Sequence, residues 1–369
     1  RDQTDPAAVL RINAEGVVSY KALLFIPGKD IDNGISGAAK KGVKLYCNGV
    51  LIMEDCDKLL HDYFEFARGV VDSPDLSLNI SREILQHNRQ LKVIGQNLEK
   101  KIKAELEKMM RDDRPKYETF WKNFGIHIKC GVCDEYGRFT DFLKDLLIFY
   151  TSEDSMRSLK EYVDAMPESQ KAIYYASADT VKHAMALPQC EEVRSRGYEI
   201  LYLDHPIDET VLQQLRMYEG KGFVNILTED LGFQTDEEKK AAEEKVVENK
   251  ELLDFIRDSI GDEKLKQVTL SSKLVSSACC LTSTGGFTLE MEKYFRNGPS
   301  EEMRKLRADR VLELNGKHAA CLAIKKAYDD GDKDKAAALS KILYAQSELI
   351  AGVEIEDPTA YADLVCSLF

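Results

Sequence analysis

Short apolar runs that alternate with helix-period stretches set the tightest limit on what this chain can fold into. Between residues 171 and 226 the sequence reads KAIYYAS (Lys171–Ser177), YEILYLD (Tyr198–Asp204) and KGFVNI (Lys221–Ile226), with helical stretches at 179–187 and 207–218 between them. Apolar runs of that length read as strands. Strand–helix–strand–helix–strand in turn predicts a small parallel sheet. The same alternation opens the chain. YKALLFIP (Tyr20–Pro27) is an apolar run stopped by proline, and VKLYCNGVLIME (Val43–Glu54) is strand-like, with Asn48-Gly49 reading as a two-residue hairpin turn. In CDKLLHDYFEFARGVV, Leu59, Tyr63 and Phe66 fall at helical spacing. After the loop DSPDLSLNIS, a long helix is predicted from about Arg82 to Met110, apolar at Leu91, Ile94, Leu98 and Ile102, capped by Asn79 or Ser81 and ended at Pro115. Residues 116–150 read as mostly helical.

The second half starts from a capping box, Thr235-x-x-Glu238, which opens a helix through DEEKKAAEEKVVENKELLDFIRDSI. It begins nearly all charged and then gains Leu252, Phe255, Ile256 and Ile260 on one face. A helix solvated at one end and buried at the other suits a connector, which places a domain boundary near 240. Strands are predicted near 267–271, 277–283 and 310–314, and helices at about 317–328, 332–351 and 357–368. The last two helices carry Leu339, Ile342, Leu343, Leu349 and Ile350, then Tyr361, Leu364 and Val365. Those faces are buried either by pairing with a second copy in a four-helix bundle or by packing back on the same chain. The expected class is α/β (α+β), and 369 residues correspond to about two or three domains.

Composition excludes several functions. A net charge of −13 argues against general binding of nucleic-acid backbones, and no run approaches the ~20 apolar residues of a membrane span. The nine cysteines are odd in number and irregularly spaced, which fits reduced thiols in the cytoplasm better than a disulfide scaffold. Cys130-Gly-Val-Cys133, with His127 three residues before it, lies in a stretch that reads as a loop and lacks the further ligands a structural zinc needs. Chance spacing is the reading adopted. A self-contained α/β redox or metal protein built on Cys130 and Cys133 is the alternative. Cys279-Cys280 lies in a small-residue run that reads as a buried strand. No phosphate-binding glycine loop, HExxH or GxSxG is present, and no metal site is expected.

Two stretches carry candidate function. Asn79–Gln86 is a loop feeding a helix N-terminus, where backbone N–H groups favour an anion. Arg82 and Gln86, four residues apart, share one face there. An Arg paired with Asp75 or Glu83 fits the same spacing. In GGFTLEMEKYF, Phe287, Met291, Tyr294 and Phe295 form one helical stripe between the segments STGG and NGPS. A stripe rich in Met and aromatics suits varied partners, and an ordinary core face is the competing reading.

The stretch KLYCNGVLIMEDCDKLLHDYFEFARGVVDSPDLSLNISREILQHNRQLKVI, above all LSLNISREILQ (Leu76–Gln86), resembles the ninety-kilodalton heat-shock chaperone family, most like its bacterial HtpG type. FWKNFGIHIKCGV, YYASAD, GGFTLEMEKYF and the closing EDPTAYADLVCSLF extend the resemblance over essentially the whole chain. It implies a middle domain at 1–240 (a large α/β unit to about 111, a helical segment at 112–150, a small α/β unit at 151–235). A C-terminal dimerisation domain follows at 241–369, ending in a dimerising helix bundle. It further implies an N-terminal ATPase domain before Arg1, so this chain is expected to be part of a longer protein. ATP and Mg would be held there, and neither by this chain. In that setting Arg82, with Asn79 and Ser81, reaches the γ-phosphate and Gln86 supports it. Phe287, Met291, Tyr294 and Phe295 contact non-native client proteins. Trp121 and Phe124 are expected in the core. The implied partners are a second copy, clients and the chain's own ATPase domain, in the cytoplasm, with neither nucleic acid nor membrane. At Asn48-Gly49 the resemblance implies one continuous strand instead of a hairpin.

Overall fold

A computed structural model describes residues 5–28, 42–76, 89–285, 287–296, 300–355 and 357–367, without the side chain of Tyr294. The chain forms two compact units. One holds most of the sequence up to Ile148, with Ser158–Lys160 and Thr210–Leu215, and the other holds the remainder. The fold is mixed α/β, as the alternation predicted.

The first unit contains a five-stranded sheet in the order β1-β2-β5-β3-β4, formed by Pro6–Ala14 (β1), Tyr20–Pro27 (β2), Val43–Cys47 (β3), Val50–Met53 (β4) and Arg68–Asp72 (β5). Strand β2 shows period-two burial, with Tyr20, Ala22, Leu24 and Ile26 inside. Asn48 and Gly49 have φ of 50° and 77°, and Cys47 pairs with Val50 across them. Two positive φ values in a two-residue loop are what a type I′ turn requires, and Asn-Gly tolerates both. The hairpin therefore forms, and the continuous strand implied by family resemblance does not.

The helix expected around Leu59, Tyr63 and Phe66 is a correction. Only a single 3₁₀ turn, Asp62–Phe64, appears before β5. All three residues are buried, but so is Phe64 between them, which one helical stripe would not do. At Gly69 a Cβ would sit 2.1 Å from the Leu23 carbonyl oxygen. That glycine lets β5 enter the sheet between β2 and β3, and sheet pairing overrides the helical period.

The long helix is described as Arg89–Asp112, and its predicted face of Leu91, Ile94, Leu98 and Ile102 is buried. Its expected caps, Asn79 and Ser81, lie outside the described residues. Pro115 does end it, and also starts the next helix, Arg114–Cys133, whose N-cap Asp113 accepts a hydrogen bond from the Lys116 N–H at 3.3 Å. Trp121 and Phe124 are core residues of this second helix. The helical reading of 116–150 stops short: Ile148–Ser152 is a strand (β6).

The second unit contains a six-stranded sheet in which Lys221–Asn225 (β11), Ile173–Ser177 (β8) and Leu201–Leu203 (β9) lie parallel, as the sequence predicted. β6 and Ser155–Ser158 (β7) extend it beyond β9, and Met217–Tyr218 (β10) beyond β11. The Thr235 capping box is present: Thr235 Oγ1 accepts from the Glu238 N–H at 3.2 Å, and Glu238 Oε2 accepts from the Thr235 N–H at 2.9 Å. The charged helix, expected to be continuous, breaks at Asn249 into Asp236–Glu248 and Lys250–Ile260. There the Asn249 side chain donates to the Lys245 carbonyl at 2.8 Å, competing with the backbone ladder.

A three-stranded sheet, Leu265–Leu270 (β12), Asp309–Leu314 (β14) and Cys279–Thr284 (β13) in that order, packs against the helices Lys250–Ile260, Ala319–Asp329 and Lys333–Ile350. Leu253, Ile256, Val268, Leu312, Ile324 and Leu343 share that core. Each such side chain contributes roughly 1.5–3 kcal/mol when fully buried.

One contact fixes the turn that leads into β13. The Glu191 carboxylate accepts from the Val275 and Ser276 N–H groups at 2.8 Å each, and from the Ser276 and Ser277 hydroxyls at 2.7 and 2.6 Å. Burial works to raise its pKa, but the donors from Ser277, Ser276 and Val275 outweigh it and hold the carboxyl down at about 2. A depressed carboxyl contributes stability that is complete above its unfolded pKa of about 4.5 and disappears as pH falls toward 2. We therefore expect Glu191→Gln to lower the thermal midpoint at pH 7. The gap to wild type should close between about pH 4.5 and 2, as read by circular dichroism melts across that range; a gap constant with pH would contradict it.

Candidate functional site

The first predicted site, Asn79, Ser81, Arg82 and Gln86, lies outside the described residues. What is described are its flanks. Leu76, just before it, is buried and its carbonyl accepts from Cys47 Sγ at 2.9 Å, and the helix of the first unit is in place from Arg89.

The second predicted site is built on the helix Leu289–Arg296. Thr288 caps it, its hydroxyl accepting from the Met291 N–H at 3.1 Å. Glu290 and Glu292 occupy the first turn and Lys293 and Arg296 the last, so both ends complement the helix dipole. Phe287 precedes the helix, is half-buried against the core and stacks on Phe295, with ring centroids 6.0 Å apart at 23°. Met291 and Phe295 are half-buried. The stripe is thus neither a closed core face nor a free surface. Phe287 and Phe295 are brought together, Met291 lies on the same helix, and the Tyr294 side chain lies outside the described residues.

What holds this helix is a group the sequence reading passed over. Glu292 is fully buried. Its carboxylate accepts from the Ala308 N–H at 2.8 Å, from Arg296 Nη2 at 3.2 Å and from Arg310 Nη2 at 3.4 Å. Arg310, on β14 and 7% exposed at its side chain, also reaches Glu348 Oε1 at 2.6 Å, the Tyr344 hydroxyl at 3.0 Å and Asp262 Oδ2 at 3.2 Å. Burial works to lower the Arg310 pKa, but Tyr344, Glu292 and Glu348 around it hold the guanidinium charged beyond its ordinary range. Burial and the hydrogen bond to Asp262 push the Tyr344 phenol up, so it stays a neutral donor. The one sequence signal was positional: Glu292 falls three residues after Leu289, on the same inward side of the helix.

The C-terminal helices divide between the two readings open to them. Ile342 and Leu343 are buried within their own unit. Leu349 and Ile350 are 54% and 38% exposed, and the helix Pro358–Cys366, which carries Tyr361, Leu364 and Val365, has no buried residue.

Cys130 and Cys133 sit on the last turn of the helix Arg114–Cys133, not in the loop expected for them. Neither is in a disulfide. Burial, followed by the charge of Asp134, pushes the Cys130 thiol up, the opposite of a reactive dithiol. His127 turns to Glu65, with its Nδ1 at 3.1 Å from that carboxylate. Among the described residues no group of three or more His, Cys, Asp or Glu side chains is placed to hold a metal. Cys279 and Cys280 lie buried in β13 as predicted, and burial pushes Cys279 up to about 12.

The model of the Hsp90 protein family matches residues 1–369. The chain belongs to the Hsp90 family. Its relatives agree with the HtpG-type resemblance. It is 43% identical over 364 residues to "Chaperone protein HtpG" of Bacillus subtilis, covering 98% of this chain and 58% of that protein. It is 44% identical over 364 residues to the protein of the same name from Clostridium acetobutylicum, covering 98% and 57%. This Hsp90-family chain therefore spans less than two thirds of the length of those relatives.

The buried network makes a direct prediction for this Hsp90-family chain. Truncating one partner of a buried charge group leaves the others unpaired, a loss of about 3–5 kcal/mol. Glu292→Ala should therefore lower the urea midpoint strongly. An exposed control of the same chemistry, Glu301→Ala, whose ion pair with Lys305 is open to solvent, should change it by less than about 0.5 kcal/mol. Equal effects from the two variants would refute the anchoring role.

Proposed function

We propose that this chain is the middle and C-terminal part of an ATP-driven molecular chaperone that binds non-native proteins. Family membership over the whole chain carries the reading, together with the chaperone names of relatives that match 98% of it. The proposed division is a middle domain to about residue 240 and a C-terminal dimerisation domain after it. The half-buried Phe287, Met291 and Phe295 beside a firmly anchored backbone support client binding there, with Tyr294 completing the stripe by sequence. The unburied helix Pro358–Cys366 and the exposed Leu349 and Ile350 support pairing with a second copy. A cytoplasmic location follows the proposed chaperone role.

In the longer protein, Arg82 acts on ATP and Mg held by an N-terminal ATPase domain. Its planar, permanently charged fork suits a γ-phosphate as charge spreads in phosphoryl transfer. Asn79 and Ser81 lie on the same loop in sequence and Gln86 on the same helical face, so they join this site. Nothing in the described geometry favours the redox or metal reading of Cys130 and Cys133.

Two measurements test these assignments separately. Met291→Ser changes a half-buried side chain that makes none of the Glu292 contacts. It should weaken suppression of aggregation of a denatured model protein several-fold, with the thermal midpoint within about 2 °C of wild type. Undiminished suppression removes the stripe from the client surface. In the full-length protein, Arg82→Ala should cut ATP turnover by roughly 10³-fold or more with nucleotide affinity nearly unchanged. Wild-type turnover would remove Arg82 from the reaction.

A further inference from the structure

A small cavity opens within the second unit where the α/β sheet, β13 and the start of the Leu289–Arg296 helix meet. Its volume is about 30 Å³, room for roughly two waters or one small head group. Leu187, Leu281 and Leu289 form an apolar part of its wall. The polar part sets three acceptors, on Gln189, Glu209 and Glu290, beside the Asn225 amide and several Ser and Thr hydroxyls. Gln189 is 3% exposed. Its Nε2 donates to the Leu281 carbonyl at 3.0 Å, which fixes the amide, and the side chain lines the cavity. Its Oε1 is buried without a hydrogen-bond partner among the described residues. Glu209 lines the cavity too, and its Oε1 takes hydrogen bonds from Asn225 Nδ2 at 3.4 Å and from the Ser177 hydroxyl. Glu290 is the third acceptor, half-buried and paired with Lys293 at 2.7 Å. Lys293 is shared with Asp179 at 3.7 Å, so one ammonium serves two carboxylates, and no cation among the described residues is paired with Glu209.

We propose that this cavity binds a primary ammonium group on a short apolar stem, either a free alkylamine or a lysine side chain. The chemistry selects for it. The amide oxygen and two carboxylates accept, the hydroxyls beside them can accept as well, and an ammonium supplies three donors with no acceptor. An anion would meet the carboxylates head on. A divalent metal would need a denser ligand set, and none is placed among the described residues. The leucine wall suits methylenes, which pack there while the head reaches the polar end. Burial, with Asp179 and Glu209 nearby, pushes Glu290 above its ordinary range despite Lys293. The site therefore stands short of positive charge. This inference is independent of client binding at the stripe.

Methyl-labelled NMR of the intact 369-residue chain at constant ionic strength tests it. n-Butylammonium chloride should shift the Leu281 and Leu289 methyl resonances saturably. Tetramethylammonium, which has no N–H donor, and rubidium, which has no stem, should not. Nα-acetyl-lysine amide saturating as well extends the site to lysine side chains. Its failure, with butylammonium binding, assigns the site to free amines. Glu209→Gln and Gln189→Met should each weaken butylammonium about tenfold, since each removes an acceptor for a charged donor. Thermal melts without ligand establish that each variant is folded, and Glu209→Gln, the more conservative, carries the test if Gln189→Met unfolds. Linear, unsaturable shifts, equal response to rubidium or tetramethylammonium, or undiminished binding in folded Glu209→Gln would each overturn the proposal.

Discussion

A guanidinium taken out of water dictates how the C-terminal sheet and its helices assemble. Dehydrating such an ion costs several kcal/mol unless its donors are met by well-placed acceptors. The two terminal nitrogens of Arg310 are met from three sides, by Asp262 before β12, Glu292 on the Leu289–Arg296 helix, and Glu348 with Tyr344 on the Lys333–Ile350 helix, while its buried Nε has no acceptor among the described residues. Burial of Leu312, Ile324 and Leu343 supplies more of the energy, yet that energy is non-directional and would tolerate a helix sliding along the sheet. The planar fork does not tolerate it, because its donors point along fixed directions. The hydrophobic surface thus drives the collapse, and the ion group selects one arrangement from those the collapse allows.

That division of labour bears on how one short helix carries both a core face and the stripe proposed to meet clients. Successive residues of a helix turn by about 100°. Leu289 and Glu292 point to the core, and Met291 and Phe295 come out half-exposed on another side. An adaptable Met and aromatic face is useful to a varied partner only if its backbone stays ordered when the partner leaves. The buried carboxylate provides that order from beneath, at no expense of exposed surface. The same economy shows in the thiols. Cys190, Cys279 and Cys280 are packed as small hydrophobes with their pKa values driven up by burial, so the interior gains volume without reactivity.

What was legible in the sequence follows how local its cause was. The parallel strands at 173, 201 and 221 were legible because each is a continuous apolar run, and the Thr235 cap because its partner lies three residues away. The Asn48-Gly49 turn was legible from residue chemistry alone, and better than from family resemblance, since the need for two positive φ values is local. The helix expected at 56–71 failed because Leu59, Tyr63 and Phe66 fall at helical spacing by accident, while the decisive fact, the close approach of Gly69 to Leu23, joins distant strands. β6 was hidden because LLIFY continues a helical pattern until sheet pairing intervenes. The Arg310 group was invisible for the same reason: residues 262, 292, 310 and 348 are linked by no period. Arg82 gained a role only through resemblance, because four residues between it and Gln86 say nothing of what faces them.

The cavity and the stripe share one helix, so the ligands proposed for the two would be thermodynamically linked to whatever extent either changes that helix, and the linkage would be reciprocal. A displacement of the helix is opposed by Glu292, whose buried hydrogen bonds from Ala308 and Arg310 would have to break in a low-dielectric interior. What can change without displacement is charge. Glu290 lines the cavity one residue before Met291 in the stripe, and Lys293 stands between Glu290 and Asp179. A cation in the cavity would relieve Lys293 of part of its load and alter the field at the first turn of the helix, where an acidic side chain matters most to the dipole. Coupling through this helix would therefore run by electrostatics and rigidity and not by movement. Its sign is set by the partner: an acidic segment on the stripe would bind better with the cavity filled, and a basic one worse.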